Sequence, residues 1–230
     1  MLRRTAIAVA VLAAVVATLA AISITLGAAA AAATARAALG LAPGSELWME
    51  GKSTIHEWQS RTHSVAVVFT RATQQPDPKG GAAIEALVRA NGVRGVDVQI
   101  PVASLHSDKK GLDKNMLKAL RADTYPTIHF RMERYTVVSR PSTDTLKLKI
   151  AGALTVSGTE RHITLDATAR RSDKGEWIDG TEPLLMTDYG IKPPTMMLGR
   201  LKVADSIVIH YHLLLASDTG VLGAKLHGSR

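Results

Sequence analysis

No cysteine occurs in the 230 residues. That excludes disulfides, cysteine-ligated zinc, thiol catalysis and a lipidated N-terminal cysteine, while leaving the compartment open. Aromatic residues are scarce at 4%, so leucine, valine, isoleucine and methionine must supply most of any core. The chain contains no G-x-S-x-G nucleophile phrase, no G-x-G-x-x-G dinucleotide phrase and no phosphate-binding loop. It is basic, with a net charge of +8, yet its lysines and arginines are scattered and form no stripe interleaved with aromatics. That scatter argues against nucleic acid as a partner. A diffuse positive charge suits attraction to anionic lipid surfaces.

The N-terminus has the pattern of a targeting or anchoring segment. Arg3 and Arg4 precede an uncharged run over residues 5–35 that Arg36 ends. Basic residues before an apolar run hold an N-terminus on the cytoplasmic side. Small-x-small triplets at Ala28-Ala29-Ala30 and Ala33-Thr34-Ala35 would serve a cleaved signal. The run is also long enough to stay as a single-helix anchor, because a bilayer core of about 30 Å needs roughly 20 apolar residues. Residues 1–35 are therefore read as signal peptide or anchor, and 36–45 as a linker ending in Pro43-Gly44-Ser45. The folded domain is placed at 46–216 and a loose tail at 217–230.

Within 46–216 apolar residues alternate with polar ones at period two, the pattern of half-buried strands. The clearest run sets Leu146, Leu148, Ile150, Gly152, Leu154 and Val156 against Lys147, Lys149, Ala151, Ala153 and Thr155. Similar runs are Val65/Val67/Phe69, Ile84/Ala86/Val88, Val96/Val98/Ile100, Ile128/Phe130/Met132, Ile163/Leu165/Ala167 and Ile207/Ile209/Tyr211/Leu213. Ser157-Gly158 marks a hairpin connection, expected to be longer than two residues. One segment instead has helical spacing: Leu112, Met116, Leu117 and Leu120, with Asn115 expected on the solvent side. Strands without intervening helices predict an all-β fold, an antiparallel sandwich or barrel carrying one short helix.

Four phrases occur in a telling order. They are Leu112-Asp113-Lys114-Asn115-Met116, Thr124-Tyr125-Pro126-Thr127-Ile128-His129-Phe130, the hairpin from Gly152 through Ser157-Gly158-Thr159 to Leu165, and Met186-Thr187-Asp188-Tyr189-Gly190-Ile191-Lys192-Pro193-Pro194-Thr195. In these the chain resembles the YceI-like family over about residues 46–216. Glu160 departs from the pattern, which has threonine just before the basic Arg161. The first strand, read at Gly51 to Trp58, departs as well. The resemblance implies a lipocalin-like antiparallel barrel of about eight strands, usually exported, enclosing an apolar chain such as an isoprenoid, an isoprenoid quinone or a fatty acyl group. It implies no cofactor and no fixed catalytic constellation, hence a binding protein and not an enzyme.

The residues agree with that expectation. An eight-stranded barrel is just wide enough inside for side chains or one slim ligand. A chain gains about 0.8 kcal/mol for each CH₂ buried, so ten such groups give several kcal/mol without a polar contact. Val67, Phe69, Phe130, Met132, Leu146, Leu148, Ile150, Leu154, Ile209 and Tyr211 are the candidate inward, ligand-lining residues. Gly152, on the face of Leu148 and Ile150, is expected to leave room for the ligand. The alternative is that these side chains fill a solid barrel, and the protein is then a structural or interaction component of the cell envelope. Lys192 and Arg200 flank the Pro193-Pro194-Thr195-Met196-Met197-Leu198 loop, which either rims the barrel mouth beside an anionic headgroup or forms a sealed turn. His210 and His212 share a strand face and could offer two nitrogens to a metal, or stand half-exposed outside; His56, Glu57 and His63 invite the same two readings.

Overall fold

The computed structural model describes residues 39–71, 81–196 and 200–217. The N-terminal segment and the tail beyond Ser217 lie outside the described residues. Strands β1 (Leu39–Leu41), β2 (Glu46–Ser53), β3 (Glu57–Thr62) and β4 (Ala66–Arg71) come first. Helix α1 (Gly81–Arg89), strand β5 (Val93–Pro101) and helix α2 (Lys110–Ala119) follow. Long strands complete the chain: β6 (Thr127–Ser142), β7 (Thr145–Val156), β8 (Thr159–Ser172), β9 (Gly175–Leu185), the short β10 (Thr195–Met196) and β11 (Leu201–Ser217). β1 falls inside the stretch expected to be linker, and the region from Gly51 to Trp58 is the end of β2, a turn and the start of β3, not one strand.

All pairings are antiparallel, in the order β3-β2-β11-β9-β8-β7-β6-β5-β4. The closed barrel of about eight strands is thus corrected to a curled path of nine, whose hydrogen-bonded order ends at β3 and β4. Its edges are drawn together without a continuous ladder. Arg61 of β3 exchanges backbone bonds with His106, just past β5, at 2.8 and 2.9 Å. Thr62 Oγ1 meets Ser104 Oγ at 2.8 Å. Elsewhere β1, paired with the last residues of β11, lies against β4. Register shifts in β6 between Met132 and Arg134 and between Val137 and Ser139 mark bulges, which bend a strand and add twist.

Alternation sets the faces. Along β7, Leu146 and Leu148 are buried while Lys147 and Lys149 are exposed. Outside, Lys149 pairs with Asp166 on β8 at 2.8 Å. The β7–β8 connection is only two residues, Ser157 and Gly158, because Val156 pairs directly with Thr159. Both have positive φ (51° and 81°), the tight turn whose twist matches a hairpin, so the longer turn expected is corrected.

The Ile84/Ala86/Val88 run is a helix. Ile84, Leu87 and Val88 are buried at i, i+3 and i+4, a spacing that the period-two reading missed by passing over Leu87. These residues pack on Phe69, Val93, Leu215 and Leu146, so α1 plugs one part of the sheet's interior. The plug is tied down electrostatically. Glu85, 2% exposed, accepts from Arg171 Nη1 at 3.1 Å and faces Arg140 Nη2 at 3.4 Å. Close by, Glu176 of β9 is wholly buried, and neither carboxyl oxygen has a hydrogen-bond partner. Burial, then repulsion from Glu85, pushes its carboxyl up to about 7 against the pull of Arg171.

Helix α2 stands where its spacing predicts. Met116 packs with Met49 and Leu105. Its C-terminal end is clamped to the β7–β8 turn, where Arg121 Nε donates to Ser157 Oγ at 2.9 Å and Ser157 Oγ donates to the Leu120 carbonyl at 3.1 Å.

Candidate functional site: an apolar cavity inside the sheet

The sheet and α2 enclose a cavity of about 320 Å³. That lies at the lower end of the roughly 300–1,000 Å³ of small-molecule sites. Nine of the twelve candidate residues line it: Val67, Phe69, Phe130, Met132, Leu148, Ile150, Leu154, Ile209 and Tyr211. They come from β4, β6, β7 and β11, so alternation on separate strands converges on one interior.

The other three do not line it. Leu146 is 1% exposed and packs with Val88, Leu148, Ala167, Ala169 and Tyr211, directly behind the cavity wall and not part of it. Lys192 and Arg200 are exposed and are not wall residues, although Ile191 and Pro194 beside Lys192 are. The Arg200 carbonyl accepts from Thr54 Oγ1 at 3.1 Å, which ties that segment to the β2–β3 turn. Gly152 does face inward, but the space above it is taken. A Cβ there would lie 2.4 Å from the Arg131 carbonyl oxygen and 2.7 Å from Phe130 Cζ. The glycine accommodates the Phe130 ring, and that ring, not the glycine, forms the wall. Asn115, expected on the solvent side, lines the cavity with Leu112 and Met116, whereas Leu117 does not.

Several wall residues carried no readable signal. β9 contributes Ile178, Glu182 and Leu184. Its inward face includes Gly180 and Glu182 and its outward face includes Trp177, so apolar-in, polar-out alternation is lost in the sequence. Leu47, Met49 and Trp58 from β2 and β3 also line the wall.

The wall is hydrocarbon with a few polar groups. Tyr135 donates to the Val88 carbonyl at 2.7 Å and Tyr211 to the Asp166 carbonyl at 3.2 Å. Burial raises both phenols above the usual range. Tyr189, 3% exposed, has no partner for its hydroxyl, and Trp58 Nε1 is likewise buried and unpartnered. Burial, then the charge of Asp166, raises the Glu182 carboxyl.

The two histidines face away from the cavity and take the second of their two readings. His210 stacks on Trp48 with centroids 4.8 Å apart, and His212 on Trp177 at 3.9 Å. His212 Nδ1 also bonds the Asp179 carboxylate. Among the described residues no group of three or more histidine, aspartate or glutamate side chains is arranged to hold a metal. None of the described helices is long and apolar enough to cross a membrane.

Comparison with known proteins agrees with this architecture. The model of the YceI-like domain matches residues 49–215. Among curated proteins none matches the sequence. A polyisoprenoid-binding domain from Saccharophagus degradans, implicated in plant cell wall breakdown, superposes with a TM-score of 0.56 at 12% identity, covering 79% of this chain and 99% of that one. BcnA of Burkholderia cenocepacia superposes with a TM-score of 0.54 at 16% identity, covering 75% and 96%. The Campylobacter jejuni YceI protein gives 0.50 at 19% identity, covering 69% and 84%.

Proposed function

This chain belongs to the YceI-like family, and from that premise we propose that it is an exported lipid-binding protein holding one apolar chain, an isoprenoid, an isoprenoid quinone or a fatty acyl group, within its curled sheet. The observation that carries the reading is the cavity, walled by aliphatic and aromatic side chains from nearly every strand. Such a wall offers a chain about 0.8 kcal/mol per buried CH₂ without any polar contact. The polyisoprenoid-binding domain of Saccharophagus degradans supports the isoprenoid class by its likeness in fold.

The protein acts as a carrier, not a catalyst. Among the described wall residues no serine, histidine or lysine stands beside Glu182, which supports this reading. Export to the periplasm or the outer face of the envelope follows from Arg3-Arg4 and the apolar run behind them, with membrane association through that run if it is retained. Mass spectrometry of organic extracts from mildly purified full-length protein tests the binding. A stoichiometric chain lipid is expected; clean extracts, together with no uptake of an added prenyl or acyl probe, overturn the reading. For targeting, the full chain should leave the bacterial cytoplasm, while a version lacking residues 1–35 should remain there folded. Full-length protein found soluble in the cytoplasm would end the export proposal.

A further inference from the structure

Among the described wall residues, Glu182 alone carries a carboxyl. It lies on β9 opposite Ile209 of β11, which also faces the cavity, and makes no hydrogen bond or ion pair with any described residue. The turn that follows β9 brings Tyr189 to the same cavity, its hydroxyl buried and unpartnered. Leu184 and its partner Ile207 pack against the Tyr189 cluster, one inward step along the ladder from Glu182 and Ile209, so the carboxyl and the phenol lie at neighbouring levels of the cavity. Burial first, then the charges of Asp188 and Glu182, raise the Tyr189 phenol. Trp58 adds a second buried, unpartnered donor to the wall through its Nε1.

Buried polar atoms without partners are rare in native proteins because each forfeits its hydrogen bonds to water. Here two such groups, the Tyr189 hydroxyl and Trp58 Nε1, belong to wall residues, and beside them the half-buried Glu182 carboxyl makes no hydrogen bond with any described residue. A pure hydrocarbon would leave all of them unsatisfied. An anionic head, phosphate or carboxylate, would satisfy the two donors but would meet the Glu182 carboxyl in a low-dielectric wall, where like charges repel strongly. A hydroxyl does both jobs, accepting from Tyr189 and donating to Glu182.

We propose that Glu182 and Tyr189 form a headgroup subsite that selects long-chain lipids ending in a neutral hydroxyl and discriminates against their phosphorylated or carboxylate counterparts. This rests on the carrier reading and narrows its ligand class. Specificity then comes from an unfavourable contact for the wrong head as much as from a favourable one for the right head.

The test is displacement of the neutral fluorophore N-phenyl-1-naphthylamine from the full-length protein by geranylgeraniol and by geranylgeranyl monophosphate. Wild type should prefer the alcohol by about tenfold or more, since one hydrogen bond gained against one like-charge contact is a difference of that order. Glu182→Gln should shrink the preference to roughly threefold or less, chiefly by tightening the monophosphate, while Tyr189→Phe should weaken the alcohol several-fold. Thermal unfolding of each variant shows that it is folded. Equal wild-type affinities for the two lipids, or an unchanged ratio in folded Glu182→Gln, overturn the subsite and leave the carrier intact. Failure of the wild type to take up the fluorophore or either lipid overturns the carrier reading and the subsite with it. The wild-type comparison decides the matter even if a variant does not fold.

Discussion

Glu176 and Asp179 lie three residues apart on β9, and their environments push them in opposite directions. Glu176 is buried without hydrogen bonds, and its carboxyl stands at about 7 instead of the ordinary 4.5. Its native state therefore holds a proton more tightly than the unfolded chain does. The associated stability is complete below about pH 4.5 and is lost as pH rises to about 7. Burial alone would raise Asp179 too, but the hydrogen bonds from His212 and Arg170 outweigh it and hold the carboxyl below its usual value. Its contribution is present above the unfolded value and disappears as the solution becomes more acid. Stability should therefore peak in mildly acid solution. Glu176→Gln should raise stability at pH 8 by about 1–3 kcal/mol and change it little at pH 4, read by urea unfolding at the two pH values. An equal effect at both would show that the proton on Glu176 is not the cause. At the same scale, Gly152→Leu should destabilise by about 1–3 kcal/mol or more, because the new side chain must displace Phe130 or the Arg131 carbonyl. A variant as stable as wild type would mean that the ring moves aside freely.

The two helices each turn one face inward, and each is held by contacts distant in sequence. α1 relies on Ile84, Leu87 and Val88 below and on the arginines around Glu85. α2 relies on Met116 within the cavity wall and on Arg121 and Ser157 at its end. Met116→Asp should cost about 2–4 kcal/mol by burying an unpaired charge, whereas Lys118→Asp, on the exposed side, should change stability by less than about 0.5 kcal/mol. Chemical denaturation of the two variants compares them, and equal losses would refute the orientation of α2. The helical spacing of α2 was legible because Leu112, Met116 and Leu120 recur over more than two turns. α1 was not, because within 84–88 the same apolar residues satisfy a period of two if Leu87 is ignored.

For the whole molecule, the separation of core from cavity is the feature to test. Leu146 and Ile150 lie on the same face of β7 and pack in one cluster, yet the first is wholly buried behind the wall and the second borders the cavity. Leu146→Ala should cost about 2–5 kcal/mol while leaving uptake of a prenyl or acyl probe near wild type. Ile150→Trp should keep the fold and abolish uptake by filling the space the chain needs. Thermal unfolding and probe binding on both variants form one experiment. Ile150→Trp protein that still binds at wild-type affinity would place the ligand elsewhere.

Local sequence determined the strands wherever apolar residues alternate with charged ones, as in Leu146-Lys147-Leu148-Lys149, since period two is a property of the strand itself. It likewise determined the Ser157-Gly158 hairpin as a turn, the α2 spacing and, through four ordered phrases, the family. Tertiary structure alone decided which inward residues become core and which become cavity wall, because that depends on what stands across the interior. Phe130 closes the space over Gly152, and Val88 of α1 packs in the cluster that buries Leu146; neither relation is local in sequence. The same holds for Glu182. On a bare strand a glutamate reads as a solvent-facing residue, and only the curl of the sheet, which turns that face of β9 toward the cavity, places its carboxyl among hydrocarbon.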